Sequence, residues 1–198
     1  MLASINPLGE RARHTRWGRT VTWYLAGSTT GGLAIGAIAG LLGATLRRSS
    51  PSPTLLGVLA VGACLAALVL DLGVLGVRRP TVHRQVNQGW LDRYRGWVYG
   101  GGFGFQLGLG VVTVVNTSTI YVALALAVLA GSVGAGLLIG GVFGLVRALP
   151  LLAVGRAHDP ARMRTIMGRM QGWSGAAATA ALVSLVLVAA VSVATLLG

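Results

Sequence analysis

The chain is poor in charged side chains and in groups that could carry chemistry. Of its 198 residues, 10% are charged, four are acidic, one is a cysteine, and all sixteen basic residues are arginine. A soluble domain carries about 25% charged residues. A chain with so few has too little polar surface to cover an apolar core in water. The composition therefore argues against a soluble globular fold and for lipid as the medium around most of the surface.

The same scarcity argues against catalysis. The single thiol, Cys64, cannot form an intramolecular disulfide or a two-cysteine metal site, so we expect an apolar packing residue. Three of the four acids fall in predicted loops, which leaves no paired-carboxylate or triad arrangement. His14, His83 and His158 each lie in a different polar segment, without metal-ligand spacing. We predict no catalytic residue, no metal and no cofactor, and hence no enzyme.

The positive charge is spread rather than clustered. The net charge is +12, but the arginines occupy the gaps between apolar runs, whereas a nucleic-acid-binding domain gathers them on one face. Nucleic acid is therefore not an expected partner. The apolar fraction is 54% and the mean hydropathy is +0.75. The lipid bilayer is the partner that this composition predicts.

Five apolar runs are long enough to cross a hydrocarbon core of about 30 Å as helices. They cover residues 21–46, 54–77, 97–115, 120–149 and 174–197. No barrel-type alternation is present, so the predicted fold class is all-α, a polytopic helical membrane protein. The first twenty residues lack the apolar core of a cleavable signal, so the first run is expected to remain. Alternate connections carry thirteen arginines against two, which places the N-terminus inside and the C-terminus outside a bacterial inner membrane.

A Gly-and-apolar pattern occurs twice, 104 residues apart, without gaps. Ala26-Gly27-Ser28, Gly32-Leu33, Ile35-Gly36 and Gly40-Leu41 recur as Ala130-Gly131-Ser132, Gly136-Leu137, Ile139-Gly140 and Gly144-Leu145. The predicted topology orients the copies oppositely, as in the inverted repeats of many transporters. The three-helix repeat is only partial, because the third span has no counterpart ahead of the first copy. A five-span protein, a misplaced start and a truncated gene all fit this pattern.

The predicted organisation has four parts. Residues 1–20 form a cytoplasmic segment, 21–77 the first, incomplete membrane repeat, 78–96 a cytoplasmic interfacial connection, and 97–198 the second repeat. The last part includes an amphipathic segment at 159–172. There Asp159-Pro160 is a good helix start, a Met/Ile stripe follows, and the arginines lie off that stripe. We expect this helix to lie on the inner membrane surface, with Trp173 at the interface.

Glycines spaced by four mark three of the helices. The sets are Gly32, Gly36 and Gly40; Gly100, Gly104 and Gly108; and Gly136, Gly140 and Gly144. Each set lays bare backbone along one helix face, where a second helix can approach closely. The alternative is that these strips flank a transport cavity whose helices slide or break.

Few polar residues are predicted within the membrane. Asp71 is the only acid inside a span, and Arg147 could pair with it at similar depth. The pair is either a structural ion pair or a proton- or cation-coupling site. A polar patch lies between the third and fourth spans, formed by Asn116, Thr117, Ser118 and Thr119. It is either an outer turn or the tip of a broken helix lining a cavity.

The second half resembles a known family. Gly-Phe-Gly-Phe-Gln-Leu-Gly-Leu-Gly at 102–110 leads to the polar patch, and 121–152 carries Ala-Gly-Ser, repeated glycine and Arg-Ala-Leu-Pro. This is similar to the transmembrane region of cytochrome c biogenesis and disulfide-electron-conduit proteins and to sulfite-exporter-like proteins. The resemblance implies two inverted three-helix repeats in the cytoplasmic membrane, with a reactive cysteine in the broken first helix of each. The matching break at 116–119 has no cysteine, so thiol electron transfer is not carried over.

Two functions are compatible with these features. The first is a small-solute permease or exporter-like protein, with Asp71, Arg147 and residues 116–119 as polar contacts of the pathway. The alternative is a non-transporting assembly or scaffold subunit that helps to mature a membrane partner. A homo-oligomer or a partner subunit would supply the helix that the partial repeat lacks.

Overall fold

The computed structural model describes residues 7–12, 14, 16–49, 51–72, 94–110, 119–155 and 159–197. Nearly all of these residues are helical and none is in a strand, so the all-α prediction is confirmed for them. The helices are α1 (Pro7–Ala12), α2 (Trp17–Arg47), α3 (Pro53–Leu72), α4 (Gly96–Leu109), α5 (Thr119–Leu129), α6 (Val133–Ala148), α7 (Pro150–Val154), α8 (Pro160–Gly172) and α9 (Ser174–Leu197).

Helix α2 is the centre of the structure. Its 31 residues span about 46 Å at 1.5 Å per residue. It packs most extensively against α4 and α6. Gly104 of α4 faces the Tyr24 carbonyl and Gly108 faces the Ser28 carbonyl, so residue numbers rise together and α4 runs parallel to α2. Gly140 of α6 faces Gly32 and Gly136 faces Gly36, so α6 runs antiparallel to α2.

Helix α5 continues the direction of α4 along α2. Helix α4 ends at Gly110, whose φ of 73° favours glycine as a helix terminator. A Cβ on Gly110 would lie 3.4 Å from Cγ2 of Ile120, so α5 starts beside the end of α4. Further along α2, Gly43 faces the Val128 carbonyl. Helices α4 and α5 therefore follow one another along α2 in the same direction. Residues 111–118, which come between them in the sequence, lie outside the described residues.

The predicted fourth span is not one continuous helix, and the end of the predicted third span, 111–115, lies outside the described residues. The run 120–149 is divided at Gly131, which has a φ of 64°. Ser132 then caps α6, with its Oγ accepting a hydrogen bond from the Ala135 amide at 3.2 Å. The run therefore contains a turn between two helices. The same tripeptide in the first copy, Ala26-Gly27-Ser28, lies inside the continuous helix α2.

The remaining long helices, α3 and α9, pack against each other, and α3 also packs against α5. Cys64 and Ala67 of α3 are buried with Val122 of α5, and Val188 and Ala189 of α9 pack against them. Among the described residues, two segments are long and apolar enough to cross a membrane, Trp17–Arg47 and Val133–Val154. Shorter apolar helices occupy Thr54–Leu70, Ile120–Leu129 and Gly175–Val191. The count of five spans stays a prediction.

Candidate functional site

The two glycine-patterned helices meet through their backbones. A Cβ on Gly32, Gly36, Gly136 or Gly140 would overlap a carbonyl oxygen of the facing helix, and a Cβ on Gly40 would lie 2.6 Å from the Ser132 carbonyl oxygen. A side chain at any of these positions would force α2 and α6 apart. The structure thus places the first and third glycine sets against each other, in the close approach that small residues permit.

A buried hydrogen bond joins α2 to α6 at this interface. The Ser28 hydroxyl, which is fully buried, donates to the Gly144 carbonyl oxygen at 2.6 Å. Ser28 also faces α4, because a Cβ on Gly108 would overlap its carbonyl oxygen. The Ser28 hydroxyl therefore has a hydrogen-bond acceptor although it is buried, and its side chain is small enough for α4 and α6 to pack against the same turn of α2.

A buried glutamate joins three helices at the N-terminal end of α2. Glu10 of α1 is 0% exposed. Its Oε1 accepts a hydrogen bond from the Tyr99 hydroxyl of α4, and its Oε2 accepts one from the Thr20 hydroxyl of α2 at 2.6 Å. Gly96 closes the site, since a Cβ there would lie 2.7 Å from the Thr20 hydroxyl oxygen. Both carboxyl oxygens thus have hydroxyl donors, as a buried polar group requires.

This glutamate cluster, formed by Glu10, Thr20 and Tyr99, was missed by the sequence analysis. Glu10 is the only glutamate of the chain, and its position near the N-terminus suggested a solvated loop. The available signal was Pro7, which is favoured at the first turn of a helix and starts α1. The hydroxyl partners lie 10 and 89 residues away, so no local pattern could have identified them.

Arg147 lies near the same end of the bundle. Its guanidinium carbon is 5.4 Å from the centre of the Phe143 ring, and it is close enough to Tyr24 to interact electrostatically. Tyr24 belongs to an apolar core of six buried residues, which are Val21, Tyr24, Tyr99, Phe103, Ala148 and Leu151. The described surroundings of Arg147 are thus aromatic. Its predicted pairing with Asp71 stays a prediction, because the Asp71 side chain lies outside the described residues.

The other predicted pathway residues are only partly described. Asp71 is the second-last residue of α3, and Thr119 is the first residue of α5. Asn116, Thr117 and Ser118 lie outside the described residues. Within the described ranges, no group of three or more His, Cys, Asp or Glu side chains could hold a metal ion.

A small apolar cavity lies at the junction of α4 and α5. Its volume is about 10 Å³, room for about one water molecule, and residues of four helices line it: Ile35, Gly36, Leu109, Ile120, Ala123, Leu124, Ala127, Ile139, Gly140 and Phe143. None of these side chains is polar. The described walls therefore offer no hydrogen-bonding group to a polar solute at this depth.

A family model for the transmembrane region of cytochrome c biogenesis proteins matches residues 3–194. The chain belongs to this family. The resemblance noted in the sequence is confirmed, and the family together with the long apolar helices makes this a membrane protein. Cys64 of α3 is 1% exposed and is buried with residues of α5 and α9.

Two curated relatives share part of the sequence. A methylamine utilization protein MauF from Paracoccus versutus is 30% identical over 153 residues, which cover 76% of this chain and 55% of the relative. MauF from Methylorubrum extorquens (strain AM1) is 32% identical over 153 residues, which cover 76% and 53%. The chain thus spans about half the length of these relatives. No solved structure matches the chain.

Proposed function

We propose that this protein is a non-redox membrane assembly subunit that helps to mature a partner needed for methylamine utilization. The observation that carries the proposal is the state of the one thiol. Electron transfer through a protein disulfide needs two thiols and access to the attacking sulfur. This chain has one cysteine, and its side chain is 1% exposed. A single buried thiol does not supply this pair, which supports a non-redox role.

The described packing also favours an assembly role over a carrier. Backbone-to-backbone contacts hold α2 between α4 and α6, and the cavity beside them is small and apolar. On the opposite side lies an open, mainly apolar groove between α2 and α6, which is lined by Thr29, Leu33, Leu137, Leu138, Gly141, Val142 and Leu145. Leu138 is 68% exposed in this groove. Such a surface offers a place for a neighbouring apolar helix.

The inverted repeat is part of this proposal. A shift of 104 residues converts Gly32 into Gly136 and Gly36 into Gly140. Exchanging the two copies in the Gly32–Gly140 contact replaces Gly32 by Gly136 and Gly140 by Gly36. The result is the Gly136–Gly36 contact, and the structure contains both contacts. This exchange is what a two-fold axis in the membrane plane would produce. The arginine distribution separately supports an inside N-terminus and an outside C-terminus.

A small-solute permease remains the second candidate. It is favoured by Asp71, since an acid within an apolar span is costly and most often functional. In this reading, residues 116–119 and Arg147 would contact the solute.

Deletion of the gene in its source organism separates the two functions. For the assembly role, we expect growth with methylamine as the nitrogen source to be lost and growth with ammonium to be unchanged. Methylamine-consuming activity should then be absent from detergent-permeabilised extracts, because the partner itself is defective. A methylamine permease instead predicts normal extract activity and lost uptake of radiolabelled methylamine by intact cells.

Complementation tests the thiol directly. A Cys64→Ser copy should restore growth on methylamine, and Asp71→Asn should restore it as well if the protein does not transport. Loss of function in Cys64→Ser, with normal amounts of protein in the membrane, would overturn the non-redox assignment. Growth of the deletion strain on methylamine at the wild-type rate would overturn the assembly role.

A further inference from the structure

Helix α8 stands apart from the packed helices. Its main contacts are with its chain neighbours α7 and α9. It begins at an N-cap, where Asp159 Oδ1 accepts a hydrogen bond from the Arg162 amide at 2.7 Å. No acid lies within the helix itself, whose sequence is PARMRTIMGRMQG. The charge on α8 is therefore uniformly positive.

The side chains of α8 divide into an apolar face with cationic flanks. Met163 and Ile166 are half-buried, while Arg162, Arg164 and Arg169 are exposed. At 100° per residue, Met163 and Ile166 lie 60° apart, with Arg162 and Arg169 to one side and Arg164 to the other. An apolar face between cationic flanks is the arrangement of helices that lie in a membrane interface.

The junction with α9 sets the depth of α8. Trp173 separates the two helices and is 77% exposed. No loop separates the two helices, because the Trp173 amide bonds to the Arg169 carbonyl at 3.0 Å and the Ala177 amide bonds to the Trp173 carbonyl at 2.9 Å. The 24 residues of α9 that follow carry no charge. Tryptophan at the end of such an apolar helix lies at the level of the lipid headgroups.

We propose that the arginine flanks of α8 form a binding surface for anionic phospholipids. The occupant is chosen by charge: three exposed guanidinium groups outnumber the one acid at the N-cap, Asp159, and so favour phosphate groups with a net negative charge. Guanidinium binds phosphate oxygens through paired hydrogen bonds. This inference does not depend on the proposed function, since it concerns only α8 and its junction with α9.

The test measures which lipid lies beside Trp173. The purified full-length protein is reconstituted into phosphatidylcholine vesicles containing the same mole fraction of spin-labelled phosphatidylglycerol or spin-labelled phosphatidylcholine. The fluorescence of Trp173 is obtained as the difference between the wild-type protein and a Trp173→Phe variant. We expect stronger quenching by phosphatidylglycerol, with the preference weakened in 1 M NaCl by screening.

Charge removal gives the decisive comparison. Replacing one arginine of α8, as in Arg164→Gln, should lower the preference for phosphatidylglycerol about fivefold, the equivalent of about 1 kcal/mol per charge near an anionic surface. The triple variant Arg162→Gln/Arg164→Gln/Arg169→Gln should show none. The matched control is Arg48→Gln, which removes one exposed arginine at the C-terminal end of α2.

Two results would overturn the proposal: equal quenching by the two lipids in the wild-type protein, or a preference that survives in the triple variant. The first result would indicate an acidic protein partner or an unoccupied face for α8, and the second would assign the lipid preference to other residues. If the triple variant does not reconstitute, the single variants carry the same comparison, and an Arg164→Gln preference equal to that of Arg48→Gln contradicts the proposal.

Discussion

Gly140→Ala is expected to lower the free energy of unfolding by about 3 kcal/mol, as overpacking of a rigid contact does. The new Cβ would overlap the Gly32 carbonyl oxygen and lie 2.8 Å from Cα of Gly36. Neither atom belongs to a flexible side chain, so α2 and α6 must separate along their whole contact. The measurement is the fraction of monodisperse protein in detergent after heating, followed by size-exclusion chromatography.

The matched control lies on the same helix. Gly134 has no atom within 4 Å of the position that a Cβ would take. Alanine there should be neutral or stabilise the helix by about 0.5–1 kcal/mol, because glycine is a poor helix former. Equal melting temperatures for Gly140→Ala and Gly134→Ala would contradict the backbone contact between α2 and α6.

Glu10→Ala is expected to lower the free energy of unfolding by about 2–4 kcal/mol, since two buried hydroxyl groups lose their acceptor. Thr20 and Tyr99, which donate to Glu10, are 1% and 0% exposed, so water cannot replace the carboxylate without opening the site. Glu10→Gln should cost less, because the amide oxygen still accepts one hydrogen bond. Thermal melting in detergent measures both variants.

Two comparisons make the Glu10 result specific. Asp159→Ala removes an exposed acid that caps α8 and should cost about 1 kcal/mol, the usual loss of a helix cap. In a double-mutant cycle, Tyr99→Phe should cost much less in the Glu10→Ala background than in the wild type, because the two side chains share one hydrogen bond. Additive losses, or equal melting temperatures for Glu10→Ala and Asp159→Ala, would contradict the glutamate cluster.

The glycine strips could be recognised from their spacing, but their partners could not. All three sets repeat every four residues, so each predicts a face of bare backbone and none specifies which helix lies on it. The structure places Gly136, Gly140 and Gly144 on α2, and it places Gly100, Gly104 and Gly108 on another side of the same helix. Helix α2 can receive both because Gly27 and Gly31 add a second strip facing α4.

The division of the chain into helices was harder to predict, for two local reasons. Ala-Gly-Ser is helical at 26–28 and forms a turn at 130–132, so the same three residues carry no signal of their own. At the first site, Gly27 packs on the α4 backbone and the Ser28 hydroxyl bonds to the Gly144 carbonyl. Both contacts are made with residues 26–28 in helical conformation. At the second, the Arg47 side chain lies against Gly131, which adopts a φ that other residues avoid.

The central claim is that α2 and α6 lie antiparallel with Gly32 opposite Gly140, and cysteine cross-linking tests it most directly. In a Cys64→Ser background, Leu33→Cys/Gly141→Cys should oxidise readily, because a Cβ at 141 lies 3.0 Å from Cδ2 of Leu33. Leu41→Cys/Leu145→Cys should not oxidise. Gly144 faces Ser28, so residue 145 lies beside the start of this contact, and position 41 is about 18 Å further along α2. Cross-linked peptides identified by mass spectrometry from the first pair alone are the predicted result. Cross-links from the second pair and none from the first would contradict the antiparallel contact.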